Sequence, residues 1–303
     1  MNPEREGGKN VLIFREGMSI QNRLIISTAG ISLLVFIYIM LSENFLPLFD
    51  IHLPSVPYLQ GVKILSACLA AFCCLLYFRG VKPIVCAFVF WVFFAWAVEA
   101  LSIHTGFPAG HYSYTGNFPG PKIWDTPVLL GFQYFAYYFF MSYFLANLLA
   151  DGVLVSSVKS WWKRSLFVAF ISSVIVAGID MMADPVQVNV FHQWQWPATT
   201  PHIGYYGIPY ANYAGYIVIF TVFLFIFKYL EIRWDAQPLG PVTIGIAIIP
   251  FAMHFSRFVE YSSDAPAGVF LVGCFTMLFP LVLCMDKFVR FFRTGAGTGK
   301  GSG

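Results

Sequence analysis

An apolar run occupies residues 83–103 and reads PIVCAFVFWVFFAWAVEALSI. A helix of about 20 such residues crosses the hydrocarbon core of a bilayer. One carboxylate, Glu99, stands near the end of the run. A carboxylate inside a membrane span is costly, so it usually has a task, a partner or both. The run therefore predicts a transmembrane helix whose last turns carry part of a polar site.

The composition extends this interpretation to the whole chain. Hydrophobic residues make up 58% of the 303 residues and charged residues 11%, whereas an ordinary soluble domain has roughly 25% charged residues. The six cysteines fall inside apolar runs without a CxxC pair, so neither a zinc site nor a disulfide framework is indicated. We expect an all-α, multi-pass integral protein of the cell's inner or plasma membrane.

About eight stretches are long enough to cross the bilayer as helices. They lie at residues 24–42, 60–78, 83–103, 127–149, 165–183, 212–230, 242–261 and 267–286. The second and third are separated by so few residues that they predict a tight hairpin. This helical domain, residues 24–291, follows a polar segment, residues 1–23, that does not resemble a cleavable signal peptide. A Gly-rich tail at 292–303 is expected to be flexible.

The basic residues predict how the helices are oriented. Of the 18 Lys and Arg residues, all but Lys63, Lys122 and Arg257 fall on the side of the two termini. Cytoplasmic loops carry an excess of Lys and Arg, so both termini are predicted to be cytoplasmic. Two long loops, at 104–126 and 184–211, then lie on the outer face with all six histidines. Since loops of this length are usually functional or disordered, and these are aromatic and low in charge, we expect both to be structured.

Two further carboxylates lie in the fifth predicted span and just beyond it. Asp180 and Asp184 are four residues apart and share one helix face. Two acids on one face tend to separate into one charged and one neutral group, which suits acid–base chemistry. Purely structural alternatives exist: Glu99 bonds a neighbouring helix, and Asp184, standing before Pro185, merely ends its helix.

Two other helices carry candidate residues. His254, Arg257 and Glu260 are spaced by threes on the seventh predicted span, where pairing of Arg257 with Glu260 or Asp180 would neutralise buried charge. The fourth predicted span is aromatic on nearly every face and includes Tyr138. Its rings either line a cleft for a long unsaturated lipid and stabilise a passing cation, or simply fill the bundle.

The loops complete an ordered set of motifs. After Glu99 come Thr105-Gly106 and Gly110-His111-Tyr112-Ser113-Tyr114; after Asp180 and Asp184-Pro185 come Trp194-Gln195-Trp196, Gly204-Tyr205-Tyr206-Gly207-Ile208-Pro209, Asn212 and Gly215. The set resembles the membrane carotenoid hydratases, such as the gamma-carotene and bisanhydrobacterioruberin hydratases, which are grouped as carotenoid biosynthesis proteins. The likeness covers roughly residues 85–220. Tyr216 stands where the pattern has Trp, and the stretch from Pro197 to Ile203 is insertion-like.

The resemblance implies addition of water to the terminal trisubstituted double bond of an acyclic carotenoid. Either Glu99 or Asp180 would act as the acid and the other as the base, with Asp184 and His111 as further catalytic residues. No metal or cofactor is implied, and the partners are an acyclic carotenoid or related polyene and membrane lipids, not nucleic acid. The implied substrate- and water-binding residues are Tyr112, Tyr114, Asn212, Trp194, Trp196, Tyr205, Tyr206, His254, Arg257 and Tyr138.

Other functions of a membrane protein fit less well. A metal hydroxylase needs clustered histidines, and the histidines here are loosely spaced. A prenyltransferase would use Asp180 and Asp184 to hold Mg²⁺ and diphosphate, but the chain lacks a second Asp-rich motif and a basic face for phosphate. A lipid or isoprenoid carrier or transporter stays open as an alternative, although no convincing internal repeat supports it.

Overall fold

The computed structural model is built mostly of helices. It describes residues 19–45, 49, 59–139, 146, 161–197, 204–233, 252, 255, 259, 261, 264, 268–279, 281–283, 285 and 289. His254, Arg257 and Glu260 lie outside the described residues, as does the side chain of Tyr138.

Seven helices and three strand pairs are described. The helices are α1 (Ile20–Met40, followed by a π-helical turn Leu41–Phe45), α2 (Leu59–Arg79), α3 (Val81–Thr105), α4 (Leu129–Gln133, continued by a π-helical segment Tyr134–Phe139), α5 (Trp161–Asn189), α6 (Tyr210–Arg233) and α7 (Val269–Gly273, continued by Cys274–Leu278). The antiparallel pairs are β1 (Ser113–Tyr114) with β4 (Trp194–Gln195), β2 (Lys122–Ile123) with β3 (Thr126–Pro127), and β5 (Gly204–Tyr205) with β6 (Ile208–Pro209).

Five of the described helices are long and apolar enough to cross a membrane. The five segments are Ile20–Glu43, Leu59–Tyr77, Val81–Thr105, Trp161–Asn189 and Tyr210–Glu231. They correspond to the first, second, third, fifth and sixth predicted spans and confirm the prediction of a helical membrane fold. The fourth and eighth predicted spans are described in part, as α4 and α7, and most of the seventh lies outside the described residues. The total of eight spans and the cytoplasmic termini stay predictions.

One glycine makes the close connection between α2 and α3. Gly80 is the single residue between the two helices, and its φ of 82° lies in the left-handed region that glycine adopts without strain. Its N–H bonds the carbonyl of Leu76 at 3.0 Å. The connection is therefore as short as the sequence predicts.

Helix α5 is longer at its carboxyl end than the sequence predicts. The helix contains Asp184 and Pro185 and ends at Asn189, so the alternative in which Asp184 ends the helix is wrong. Proline removes one backbone hydrogen bond, and transmembrane helices tolerate it because other groups satisfy the freed carbonyls. In the last turn, Nδ2 of Asn189 donates to the carbonyl of Pro185 at 2.8 Å, which satisfies one of the carbonyls at the helix end. The second loop consequently starts at residue 190 rather than 184.

The helices pack in pairs around an aromatic centre. Helix α1 runs along α2, α5 runs along α6, α3 contacts α4, and α5 also contacts α7. A partly buried ion pair between Lys63 Nζ and Glu43 Oε2, at 2.5 Å, links the first pair. In the centre, the fully buried indole of Trp91 stacks on Phe220 with ring centroids 5.1 Å apart.

The described parts of the two long loops are held against each other at one end of the bundle, here called the loop end (residues 106–128, 190–197 and 204–209). Strands β1 and β4 place Tyr114 opposite Trp194. The hydroxyl of Thr115 donates to the carbonyl of His192 at 2.6 Å, and its backbone N–H bonds the carbonyl of Gln193 at 2.9 Å. These bonds join segments that are far apart in sequence, so the described loop residues form an ordered cover over the helix ends.

The first loop also sits directly on α6. A Cβ added at Gly215 would lie 2.5 Å from the carbonyl oxygen of Pro108. No other amino acid fits there without movement of the loop or the helix. The glycine thereby fixes how closely the first loop approaches the residues at the start of α6.

Candidate functional site

Three carboxyl groups are buried beneath the loop end. Glu99 of α3 is 2% exposed, and Asp180 and Asp184 of α5 are 2% and 6% exposed. Asp184 interacts electrostatically with both of the other acids. We call these three residues the carboxyl cluster. Its members were predicted separately from the sequence, and the structure brings them together.

Three tyrosine hydroxyls donate hydrogen bonds to Glu99. Tyr134 of α4 bonds Oε1 at 2.7 Å, Tyr114 of β1 bonds Oε2 at 3.1 Å, and Tyr216 of α6 bonds Oε1 as well. The three phenols come from separate parts of the chain. Glu99 is therefore held by a tyrosine cage that also joins α3, α4, α6 and the first loop.

The aspartate pair has a different set of neighbours. Asp180 and Asp184 stand one turn apart on α5, and Nδ2 of Asn212 donates to Oδ2 of Asp184 at 2.9 Å. Asn212 is itself buried and lies one turn before Tyr216 on α6. Helix α6 thus contacts the aspartates with one residue and Glu99 with another.

An aromatic column extends from the tyrosine cage into the bundle. Phe220 stacks on Tyr216 at 5.5 Å between ring centroids and on Trp91 at 5.1 Å, and Tyr134 lies 5.9 Å from the same phenylalanine. Ring faces carry partial negative charge and attract cations. The site therefore combines acids with a surface that suits a transient positive charge.

Aromatic residues of both loops cover the cage. Between ring centroids, Tyr112 lies 5.6 Å from Tyr114 and 5.2 Å from Trp196. The ring centroid of Trp194 lies 5.8 Å from that of Tyr114. The hydroxyl of Tyr112 and Nε1 of Trp196 are buried, and neither has a hydrogen-bond partner among the described residues. An indole N–H can only donate a hydrogen bond, so Nε1 of Trp196 needs a hydrogen-bond acceptor as its partner.

A second group of tyrosines includes Tyr213, which directly follows Asn212 on α6. Tyr205 contacts Tyr206 at 4.5 Å and Tyr213 at 6.2 Å between ring centroids. Burial, and next the charge of Tyr206, raise the pKa of Tyr205 from 10.0 to about 12. Tyr205 is thus a neutral phenol at physiological pH, able to donate a hydrogen bond.

His111 is placed away from the carboxyl cluster. The residue is exposed, and its Nδ1 lies 3.2 Å from the carbonyl oxygen of Ile103. Its ring covers Gly106, where an added Cβ would lie 2.8 Å from the imidazole. In the described structure His111 packs on the end of α3 and makes no contact with the three acids.

Four polar residues of the site were missed by sequence reasoning. Tyr134 is one of many rings in an aromatic segment. Tyr213 follows Asn212 on α6, and the buried Gln187 lies one turn after Asp184 on α5; both stand within apolar helices, where phenols and amides give no signal of their own. Tyr216 stood out only as a departure from Trp. The usable signal was the spacing of Asn212 and Tyr216, which puts two polar groups on one face of an apolar helix.

Within the described ranges, no three His, Cys, Asp or Glu side chains are arranged to hold a metal ion. Phenol and amide donors engage both oxygens of Glu99 and Oδ2 of Asp184.

Comparison with known proteins identifies one related family. A family model described as carotenoid biosynthesis protein matches residues 59–280. The match runs from α2 to α7 and contains the whole carboxyl cluster and its tyrosine cage. No curated protein and no solved structure gives a significant match.

Proposed function

Because the chain belongs to the family of carotenoid biosynthesis proteins, we propose that its carboxyl cluster adds water to the terminal double bond of an acyclic carotenoid. The observation that carries the proposal is the placement of three buried carboxyl groups with unlike partners beside an aromatic column. Hydration of an alkene needs an acid strong enough to protonate carbon, protection of a cation and controlled access of water. The described residues offer a candidate for each requirement.

The aspartate pair is the proposed proton donor. Burial opposes charge on all three carboxyl groups alike, so their partners decide which one keeps a proton. Glu99 accepts three phenol hydrogen bonds, which favour its charged form relative to the others. Asp184 accepts one amide hydrogen bond and faces two other acids. Because two close carboxyl groups rarely ionise together, Asp180 and Asp184 share a proton.

The reaction begins with transfer of that proton to the less substituted carbon of the terminal double bond. The π electrons form the new C–H bond and leave a tertiary cation on the neighbouring carbon. A lone pair of water then forms the C–O bond, and the oxonium proton returns to the aspartate pair. One water is consumed, nothing is oxidised or reduced, and the pair regains its starting state.

Glu99 and the aromatic column stabilise the cation. A carboxylate fixed by three donors needs no reorientation when the positive charge develops, which makes its electrostatic stabilisation effective. The rings of Tyr216 and Tyr134 add cation–π attraction. This division of roles leaves the acid chemistry to α5 and the charge stabilisation to α3 and its cage.

The loop residues bind the oxygen-bearing group. Tyr112 and Trp196 present a buried hydroxyl and a buried indole N–H beside the cage. The hydroxyl of the product accepts from both, which an unreacted hydrocarbon end cannot do. Trp194 and Tyr114 hold this part of the loop end over Glu99.

Pigment analysis tests the proposal in cells. The chain is expressed in a host that makes acyclic carotenoids, alongside Asp184→Asn and the control Tyr229→Phe, whose ring contacts Trp161 far along α6. The wild-type chain and the control should yield a carotenoid heavier by the elements of water, and Asp184→Asn should yield little. Unchanged pigments with a folded wild-type chain would contradict the proposal and favour a carrier.

A further inference from the structure

The polar face of α5 continues past the two aspartates. Asp180, Asp184 and Gln187 stand at positions i, i+4 and i+7, so they share one side of the helix and approach the loop end in that order. Gln187 is 7% exposed, and its Oε1 has no hydrogen-bond partner among the described residues. An amide oxygen buried in this way is a strong acceptor beside the acids.

A buried hydroxyl of α6 lies near the same aspartates. Tyr213 directly follows Asn212, the residue that bonds Asp184, and is 6% exposed. It interacts electrostatically with both Asp184 and Asp180. Its hydroxyl has no hydrogen-bond partner within the described part of the chain. Tyr213 therefore presents a polar atom to the surroundings of the aspartate pair.

A second buried hydroxyl comes from the loop end. The ring of Tyr205 lies 6.2 Å from that of Tyr213 at an angle of 71°. Its hydroxyl is buried and likewise lacks a partner among the described residues. Tyr210, at the start of α6, is 55% exposed and interacts electrostatically with Tyr213. A series of phenols thus leads from the exposed loop end inward to the aspartates.

Buried polar atoms in folded proteins are almost always bonded, to protein or to ordered water. The end of an acyclic carotenoid has no hydrogen-bonding group, so it cannot serve Tyr213, Tyr205 or Gln187. A buried water needs two to four polar partners, and these residues supply two hydroxyls and an amide oxygen. The chemistry of the three groups therefore selects water over the polyene.

We propose that Tyr213, Tyr205 and Gln187 hold the reacting water on the loop-end side of the aspartate pair, apart from the tyrosine cage of Glu99. The inference rests on the proposed hydration. On α6, Tyr216 bonds Glu99, whereas Tyr213, one turn closer to the loop end, directly follows Asn212, which bonds Asp184. Tyr213, Tyr205 and Gln187 are positioning residues: they orient water for capture of the cation and do not supply the first proton.

When water is poorly positioned, a smaller fraction of the cation is captured by water. A cation that is not captured loses a proton and returns to an alkene. In heavy water, a cycle in which the cation loses a proton other than the added deuteron leaves deuterium in recovered, unhydrated carotenoid. The ratio of hydration to deuterium incorporation therefore reports how well water is positioned, whereas a merely structural defect lowers both rates together.

The experiment compares purified wild-type protein with Tyr213→Phe and Tyr205→Phe, each lacking one hydroxyl, and with the control Tyr229→Phe. We expect kcat for hydration to fall roughly 10- to 100-fold in the first two variants, as for loss of one oriented hydrogen bond. KM for the carotenoid should be unchanged and deuterium incorporation per hydration should rise. The control should match the wild type.

The outcomes separate this inference from the proposed function. If the wild type hydrates its substrate but both variants keep its ratio of hydration to exchange, the water-holding role is overturned and the hydration proposal stands. If the wild type neither hydrates nor exchanges, the proposed function itself fails. Tyr205 lies in a short strand of the loop end, so its variant keeps the test decisive if Tyr213→Phe folds poorly.

Discussion

Tyr134 and Tyr216 donate hydrogen bonds to the same oxygen of Glu99 from two different helices, α4 and α6. A single buried carboxyl group thereby connects three helices at the point where their apolar surfaces meet the polar site. If Glu99 is truncated, two buried phenols lose their partner as well, and unpaired buried polar groups are costly. A conservative replacement is therefore needed to separate the chemistry of Glu99 from its structural part.

The first prediction concerns coupling between Glu99 and Tyr216. Glu99→Gln keeps an acceptor oxygen but removes the charge, and we expect kcat for hydration to fall about 100-fold. Tyr216→Phe should have a smaller effect in the wild-type background and almost none in the Glu99→Gln background, because the hydroxyl acts through the carboxylate. Steady-state kinetics of the wild type, the two single variants and the double variant give the coupling between the two substitutions. Independent, additive effects would contradict an electrostatic role for the cage.

The second prediction concerns the proton donor. Asp184→Asn and Asp180→Asn each remove an acid of similar size, and we expect hydration to fall at least about 100-fold in each. Asp125→Asn is a matched control, since Asp125 is exposed in the first loop with a positive φ of 56° that asparagine tolerates. Product formation by purified proteins is the measurement. Full activity of both cluster variants would remove the aspartate pair from the mechanism.

Much of the fold was predictable because the apolar runs are long. Five of the predicted spans coincide with described helices within a few residues. The errors lie at the helix ends, where polar residues follow the apolar run: α5 continues through Asp184 and Pro185 to Asn189 because the helix is buried there and its carbonyls find partners. Hydropathy alone does not report such an extension.

The site was only half predictable for a related reason. A buried acid such as Glu99 gives a strong signal in an apolar run, because its burial is costly. Its partners Tyr134 and Tyr216 give none, since a tyrosine in an aromatic helix also suits ordinary packing. The exposed position of His111 depends on how the first loop turns over Gly106, which only the three-dimensional path of the loop determines.

The third prediction concerns the contact between the first loop and α6. Gly215→Ala would place a methyl group 2.5 Å from the Pro108 carbonyl oxygen, so we expect a loss of about 1–3 kcal/mol of stability from overpacking. Gly30→Ala is the control: it lies in α1, where an added Cβ meets nothing within 4 Å. That variant should be unchanged or more stable by about 0.5–1 kcal/mol. Thermal unfolding in detergent compares them, and equal melting temperatures would argue against the close contact.

The fourth prediction concerns alkaline stability. The pKa of Tyr205 is raised from 10.0 to about 12 by burial and by Tyr206. Between these values the unfolded chain has lost the phenol proton while the folded chain keeps it, so this contribution to stability is complete below pH 10 and is lost as the pH rises toward 12. Tyr205→Phe removes it, and its melting temperature should fall less steeply than that of the wild type across this window. Parallel curves would show that Tyr205 titrates normally.

The central claim is that a carotenoid gains its oxygen from water at the carboxyl cluster. The most direct measurement is mass spectrometry of the product made by purified protein from an acyclic carotenoid in oxygen-labelled water, with unlabelled O₂ present. We predict a product heavier by one labelled water, formed by the wild type and by Asp125→Asn but not by Asp184→Asn. A product that carries unlabelled oxygen, or equal labelling by Asp184→Asn, would contradict the account.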